Sequence, residues 1–310
     1  MNNINKVGAF AAGLAVTFGA SFGIGHAIGP VGSQPTASHS DHGAAAGTDG
    51  NQQPADTAPG GLQVSERGYT LVPSAEPIAV GAPRDFRFRI TGPDGKAVTR
   101  YTSSHEKDLH LIVARRDLSG FQHLHPRLSP DGTWSVPLAF DAAGTYRVFA
   151  DFVPSGSAGL TLGADLFVAG DYRPSPLPAP ARTATVDGYT VTLAGDLTAG
   201  KAGMLTLSVA KDNRPVTDLQ PYLGAYGHLV ALRQGDLAYL HVHPEGAPGD
   251  GTTPAGPGIS FHAVAPSVGT YRLYLDFRHG GTVHTAQFTV IAGASNAAAP
   301  SAPEHSDHSH

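Results

Sequence analysis

Residues 84–91 read RDFRFRIT, and this stretch decides the fold because its apolar residues recur at every second position. Phe86, Phe88 and Ile90 alternate with charged residues, which is the period of a β-strand with one buried face and one solvated face. The following residues, GPDG at 92–95, are typical of a tight turn. The sequence therefore predicts a strand that ends in a turn, and not a helix.

The same period recurs along the chain. We predict further strands at residues 108–115, 132–140, 144–153, 161–168, 189–193, 203–210, 227–233, 259–264, 269–277 and 282–291. No convincing amphipathic helix competes with them. Short strands separated by turns are typical of antiparallel sandwiches and barrels.

Four blocks of sequence occur twice, in the same order. They are GYTL at 68–71 and GYTV at 188–191, HLIVA at 110–114 and HLVAL at 228–232, FQHLHP at 121–126 and YLHVHP at 239–244, and GTYRVFADF at 144–152 and GTYRLYLDF at 269–277. The offsets lie between 118 and 125 residues. Such regular spacing predicts a tandem duplication.

The duplication and the composition together predict the domain organisation. A proline-rich linker, PSPLPAPAR at 174–182, separates a first unit at 62–173 from a second at 183–293. Residues 30–61 and 294–310 contain too few large apolar side chains to order themselves. We predict an all-β protein with two tandem immunoglobulin-like (cupredoxin-like) β-sandwich domains, flanked by disordered tails. A small β-barrel for each unit is the alternative.

The N-terminal segment indicates the cellular compartment in which the protein resides. Residues 7–29 carry no acid or base except His26, after a short and weakly basic start. This is the pattern of an export signal, cleaved after Ala27, or of a single membrane anchor, whereas the glycine content disfavours a buried core helix. Either interpretation places the chain outside the cytoplasm, secreted or anchored to the membrane through residues 1–29 alone.

Charge and cysteine content exclude several classes of protein. The formal net charge of the 310 residues is −5, so there is no basic field for a nucleic acid. The absence of cysteine excludes disulfides, thiolate metal sites and cysteine nucleophiles. No nucleophile elbow, phosphate loop or dinucleotide fingerprint is present, and we therefore predict no catalytic residues.

Sixteen histidines are left as the candidates for coordination chemistry. In each copy an H-x-H pair lies near the end of a strand, where alternate residues share one face about 6 to 7 Å apart. A neighbouring strand that begins with His110 or His228 can supply a third imidazole. The predicted metal ligands are His110, His123 and His125 in the first copy and His228, His241 and His243 in the second.

Three imidazoles and one open position suit zinc, and nitrogen-rich sites also suit Cu(II). Asp151 and Asp276, at the ends of matched strands, are candidates for orienting an imidazole or for direct ligation. The favoured alternative is that both are turn residues that cap a strand end. His105, near His110, is a substitute ligand. The alternative is that the histidines are structural, stacked on aromatic side chains and bonded to the backbone. The sequence leaves open whether the two units hold separate sites or share one.

The blocks at 121–126, 221–232 and 240–244, together with the leader and the His-containing spacer, resemble an uncharacterised family of secreted or membrane-attached actinobacterial proteins. Members of that family are sometimes described as heavy-metal-binding. The resemblance covers roughly residues 61–293 and implies a two-unit body outside the cytoplasm. It implies no established activity and no assigned ligands.

We therefore expect an exported, non-enzymatic protein of the cell envelope that binds Cu(II) or Zn(II). One alternative is an envelope interaction or adhesion module with structural histidines and a second envelope protein as its partner. A zinc-dependent hydrolase is the third hypothesis, with Glu245, two residues after His243, as the candidate base.

Overall fold

The computed structural model describes residues 58–76, 78–240 and 242–294, and all the regular secondary structure in these ranges is β. The prediction of an all-β chain with two tandem immunoglobulin-like β-sandwiches is confirmed. The predicted leader at 1–29 and nearly all of both predicted disordered tails lie outside the described residues. Within the described ranges, no helix is long and apolar enough to span a membrane.

The first sandwich contains ten strands in two sheets. The strands are β1 (Ser65–Glu66), β2 (Tyr69–Pro73), β3 (Ile78–Ala79), β4 (Gly81–Thr91), β5 (Leu109–Arg115), β6 (Gln122–Leu124), β7 (Arg127–Leu128), β8 (Thr133–Phe140), β9 (Gly144–Phe152) and β10 (Leu160–Ala169). One sheet has the order β1-β2-β4-β8-β7 and the other β3-β10-β9-β5-β6. All pairings are antiparallel except that of β3 with β10.

The second sandwich repeats this plan. Its strands are β11 (Thr183–Val186), β12 (Tyr189–Ala194), β13 (Ala202–Lys211), β14 (Arg214–Pro215), β15 (Gly227–Arg233), β16 (Tyr239–Leu240), β17 (Val242–Pro244), β18 (Gly258–Val264), β19 (Gly269–His279) and β20 (Thr282–Ala292). The sheets have the orders β11-β12-β13-β18-β17, with β14 on β13, and β16-β15-β19-β20.

Each predicted strand coincides with an observed one, but the structure has ten strands per sandwich, more than the five and six named from the sequence. The additional strands, such as β1, β3 and β7, have two residues each. Two residues cannot show an alternation of apolar and polar side chains, so the sequence carries no signal for them.

Each sandwich encloses its own core, and the position of a residue along a strand decides whether it reaches that core. In β5, Leu109, Leu111 and Val113 belong to the first core, which also contains Trp134. In β15, Leu229 and Ala231 belong to the second core. The residues between them on β5 and β15 therefore point away from both cores.

These outward-pointing residues are buried as well, because the two sandwiches pack against each other. The inter-sandwich interface consists of Ile112, Ala114, Leu118, Phe149, Val230, Leu232, Leu237, Tyr239 and Tyr274. The rings of Phe121 and Tyr274 stack across it at 3.9 Å, and the Tyr274 hydroxyl donates to the carbonyl of Leu118 at 2.7 Å. The outer faces of β5 and β9 thus lie against those of β15 and β19.

Residues 60 and 61, at the end of the predicted spacer at 30–61, bond to both sandwiches. The amide of Gly61 donates to the carbonyl of Thr161 at 2.8 Å, and the carbonyl of Gly60 accepts from the amide of Tyr239 at 3.0 Å. The Arg147 guanidinium also donates to the Gly61 carbonyl at 2.7 Å. Backbone bonds of this kind order a segment that has almost no apolar side chains of its own.

Candidate metal centre

His110 and His228 occupy equivalent places at one end of the inter-sandwich interface. His110 lies on the same face of β5 as Ile112, and His228 lies on the same face of β15 as Val230. Both therefore point out of their own sandwich and toward the other one. Their rings stack with centroids 5.4 Å apart and an interplanar angle of 12°. Histidines from the two copies thus meet each other.

The H-x-H pair of the first sandwich completes the cluster. His123, on β6, is directly opposite Ile112 of β5 and so shares the interface face with His110. Its ring centroid lies 4.6 Å from that of His228 and 4.8 Å from that of His125. One ring nitrogen from each of His110, His123 and His228 lies within 4.8 Å of the others. That separation is compatible with binding to a single ion.

The position of each ring proton follows from the outer hydrogen bonds. Nε2 of His110 lies 3.0 Å from the carbonyl oxygen of Ser104, which can only accept, so this nitrogen carries the proton. Nδ1 of His123 lies 2.8 Å from Oδ2 of Asp276 and donates to that carboxylate. In neutral rings, the lone pairs are therefore on Nδ1 of His110 and Nε2 of His123.

Those two lone pairs face each other across 3.1 Å. Neither neutral ring has a proton to place between them, so the contact is repulsive unless a cation or a second proton lies there. Two nitrogens bound tetrahedrally to zinc at about 2.0 to 2.1 Å lie about 3.3 to 3.4 Å apart. The observed separation is close to that value.

Two further ring nitrogens in the cluster are buried and unpartnered among the described residues. They are Nδ1 of His228 and Nε2 of His125. A buried polar atom without a partner is costly, by roughly 1 to 3 kcal/mol, and such atoms cluster where an ion or water belongs. His228 belongs to the three-histidine group with His110 and His123, and His125 lies beside that group, with its ring centroid 5.1 Å from that of His110.

The electrostatics of the cluster keep these donors available. Burial lowers the pKa of His110 to about 4 and that of His125 to about 3. Burial, together with the neighbouring imidazoles, lowers the pKa of His228 well below its usual range. These rings are therefore neutral at neutral pH, which is the state that a metal requires.

Asp276 connects the cluster to the second sandwich. Its side chain is buried, its Oδ2 accepts from His123, and its Oδ1 accepts from the Thr285 hydroxyl at 2.6 Å. It lies directly opposite His228 in the pairing of β15 with β19. Asp151 occupies the matched place opposite His110 and accepts from the Thr161 hydroxyl at 3.0 Å. Both carboxylates lie within strands, so neither caps a strand-end turn.

His105, the predicted substitute ligand, lies beside the cluster. Its ring centroid is 6.1 Å from that of His110 and 5.9 Å from that of His228. Its φ of 49° turns the backbone sharply at the end of the loop that precedes β5. The Ser104 carbonyl that fixes the His110 ring belongs to the same turn.

Of the predicted second set of His228, His241 and His243, the two described members lie in different sheets. His228 joins the first-sandwich histidines, and His241 lies outside the described residues. His243 is exposed on β17, in the other sheet of the sandwich, directly opposite His262 of β18. The physical reason is that β15 turns His228 outward, away from the sheet that carries His243.

Glu245, the candidate base of a zinc hydrolase, also lies on that other sheet. Its carboxylate contacts Nε2 of His262 at 2.5 Å on the solvent side. The described cluster of His110, His123 and His228 contains no carboxylate ligand.

The sequence did not reveal that the cluster is shared, nor the roles of Ser104 and Thr285. A signal for the shared cluster exists in the blocks at 110–114 and 228–232, which are apolar at nearly every position. A strand without alternation is buried on both faces and needs a second packing partner. Ser104 contributes a backbone carbonyl, whose position depends on a turn, and Thr285 contributes a cross-strand hydroxyl, whose position depends on the strand register.

Residues 63–162 and 184–294 each match a family described as "Domain of unknown function (DUF8832)". No curated protein matches the chain in sequence.

The fold resembles several bacterial proteins of known structure. InvD of Yersinia pseudotuberculosis is 12% identical, with 76% of this chain and 62% of that chain covered and a TM-score of 0.24. A membrane-anchored protein of Corynebacterium diphtheriae is 10% identical, with 73% and 59% covered and a TM-score of 0.23. The adhesin InvE of Yersinia pseudotuberculosis is 14% identical, with 74% and 60% covered and a TM-score of 0.21. The chain thus spans about three fifths of the length of these proteins.

Proposed function

The chain belongs to this family, whose description assigns no activity, and we propose from the geometry of its own histidines that it binds one divalent metal ion, Zn(II) or Cu(II), between its two sandwiches. The ligands are Nδ1 of His110, Nε2 of His123 and Nδ1 of His228. His125 lies beside these three ligands, and its buried Nε2 has no partner among the described residues. The proposed role is non-enzymatic.

The observation that carries this proposal is the 3.1 Å separation between Nδ1 of His110 and Nε2 of His123, whose lone pairs face each other. A second proton on His123 also removes the repulsion, since the imidazolium then donates to His110. That proton leaves Nδ1 of His228 and Nε2 of His125 without partners. A cation bound by His110, His123 and His228 satisfies Nδ1 of His228 as well as the two facing lone pairs, and for this reason we favour it over the structural role of the histidines.

The donor set favours borderline cations. Imidazole suits Zn(II) and Cu(II), whereas Cu(I) prefers thiolate or thioether sulfur. The chain has no cysteine, and Met204 is exposed on β13, in the sheet away from the cluster. Asp276 supports this donor set in the manner of a carboxylate that orients a zinc-bound imidazole.

We further propose that the protein acts outside the cytoplasm. The support is the segment at 7–29, which carries no acid or base except His26. The mass of the mature chain and its partition between membrane and medium distinguish two alternatives. The chain either stays attached to the membrane through residues 1–29 or is released after cleavage.

Metal content of the full chain tests the function. The doubly substituted chain His110→Gln/His228→Gln should hold one equivalent of Zn(II) less than the wild type after dialysis against a weak chelator, as measured by elemental analysis. The matched control is His279→Gln/His284→Gln, which removes two histidines that bond to Asp218 and Asp187. Histidines of both termini are present in every chain, so they cancel in the comparison. Equal zinc content in the two variants would rule out the shared site.

A further inference from the structure

A second pair of histidines lies on the solvent face of the second sandwich. His243 of β17 and His262 of β18 are direct partners in the antiparallel register. Residues opposite each other on neighbouring strands point to the same face, with Cβ atoms about 4.5 to 5.5 Å apart. Both residues are exposed, so the two imidazoles share one side of the sheet and are open to water.

Glu245 belongs to the same face, because it lies two residues after His243 along the chain. Its Oε2 lies 2.5 Å from Nε2 of His262, and the two side chains are 55% and 51% exposed. The carboxylate accepts the Nε2 proton and leaves the lone pair of the ring on Nδ1. Asp276 orients His123 by the same kind of contact, through the opposite ring nitrogen.

We propose that His243 and His262 form a second, surface site for Zn(II), in which Nδ1 of His262 is a ligand and Glu245 is a positioning residue. Two imidazoles that converge on one ion, with water in the remaining positions, give an open and exchangeable site. With two protein ligands, its ion keeps more water than the ion proposed between the sandwiches, which has three. No residue is common to the two sites, so each proposal stands independently of the other.

Acylation of histidines by diethyl pyrocarbonate, mapped on peptides of the full chain by mass spectrometry, tests this site. Addition of Zn(II) should slow the labelling of His243 and His262 together by several-fold. Replacement of either ligand, as His243→Gln or His262→Gln, should abolish the protection of the remaining histidine. Glu245→Gln should weaken the protection without eliminating it, because it removes only the positioning carboxylate.

Two further chains complete the test. Met204→Leu is the matched control, because Met204 lies opposite His262 on its other flank, in the pairing with β13, and should leave the protection unchanged. In His110→Gln/His228→Gln, which lacks the inter-sandwich cluster, the protection of His243 and His262 should persist. Labelling that is insensitive to Zn(II), or protection of His243 that survives His262→Gln, would overturn the proposal.

Discussion

At the scale of single residues, Asp276 joins the two sandwiches through a hydrogen bond. It belongs to β19 of the second sandwich, yet it accepts a hydrogen bond from His123 of the first. The Thr285 hydroxyl holds its other oxygen. This buried carboxylate therefore fixes both the orientation of the His123 ring and the side of the ring that carries the lone pair.

We expect Asp276→Asn to weaken Zn(II) binding at the inter-sandwich site by roughly 10- to 100-fold, which is the usual effect of losing a carboxylate that orients a ligand. Competition with a chromophoric chelator measures the change. The control is Asp187→Asn, since Asp187 accepts from His284 at the same 2.8 Å. An equal effect in both variants would mean that Asp276 has no special role in binding.

The pKa of His110 predicts how the stability of the metal-free protein changes with pH. The ring stays neutral down to about pH 4 in the folded chain but takes a proton below its usual pKa of 6.5 when unfolded. The unfolded state thus binds more protons between these values, and the free energy of unfolding falls as the pH is lowered through this window. From about pH 7 to about pH 5 this one ring lowers it by about 2 kcal/mol.

Urea titrations of the metal-free wild type and of His110→Gln at the two pH values measure this contribution. The decline should be shallower by about 2 kcal/mol in the variant, since glutamine does not titrate. Any constant loss of stability cancels when the two pH values are compared within one variant. The prediction fails if both chains lose the same amount.

Sequence patterns predicted part of the cluster at this scale. The alternation of side chains along a strand predicts that His123 and His125 share a face. A neighbouring strand that begins with His110 can bring this third histidine close to them. The partners that settle the ring protons, Ser104 and Thr285, could not be predicted. They depend on a turn and on a strand register, neither of which has a period in the sequence.

At the scale of strands, β5 and β15 determine where the site forms. Both are apolar at nearly every position, so they bury one face in their own core and the other in the inter-sandwich interface. His110 and His228, near the start of these strands, lie on the interface face. Each therefore lies next to the other copy when the two faces pack together. The burial of the imidazoles therefore depends on the packing of Ile112 and Val230.

Truncation of Ile112 tests this role. The side chain is 0% exposed although it points out of its own sandwich. We expect Ile112→Ala to lower the free energy of unfolding by about 2 to 5 kcal/mol, as for other buried aliphatic residues. Phe167→Ala is the control, since Phe167 of β10 also points away from its core but is 73% exposed, and it should change the stability by less than about 0.5 kcal/mol. Similar losses in denaturant titrations of the two variants would show that the interface does not form.

At the scale of the whole body, duplication alone does not specify a shared site. The repeated blocks predicted two similar sandwiches because each copy carries its own strand pattern. How the copies pack is decided by side chains on outward faces, such as Ile112 and Val230. These residues occupy matched positions of the repeat, but the repeat does not specify that the two faces pack against each other. The symmetry of the copies suggested two equivalent sets of ligands, whereas the interface brings His228 to the histidines of the first copy.

The shared site predicts that Zn(II) stabilises both sandwiches through one ion. At a free concentration about 100 times the dissociation constant, binding to the folded chain adds about 2.7 kcal/mol. For a body of this size that raises Tm by about 5 to 10 °C in a thermal melt. His123→Gln, in the first sandwich, and His228→Gln, in the second, should each remove this contribution of about 2.7 kcal/mol, whereas His279→Gln should retain it. If each sandwich held its own ion at an internal triad, either substitution would leave the other ion in place, and a substantial part of the shift would survive.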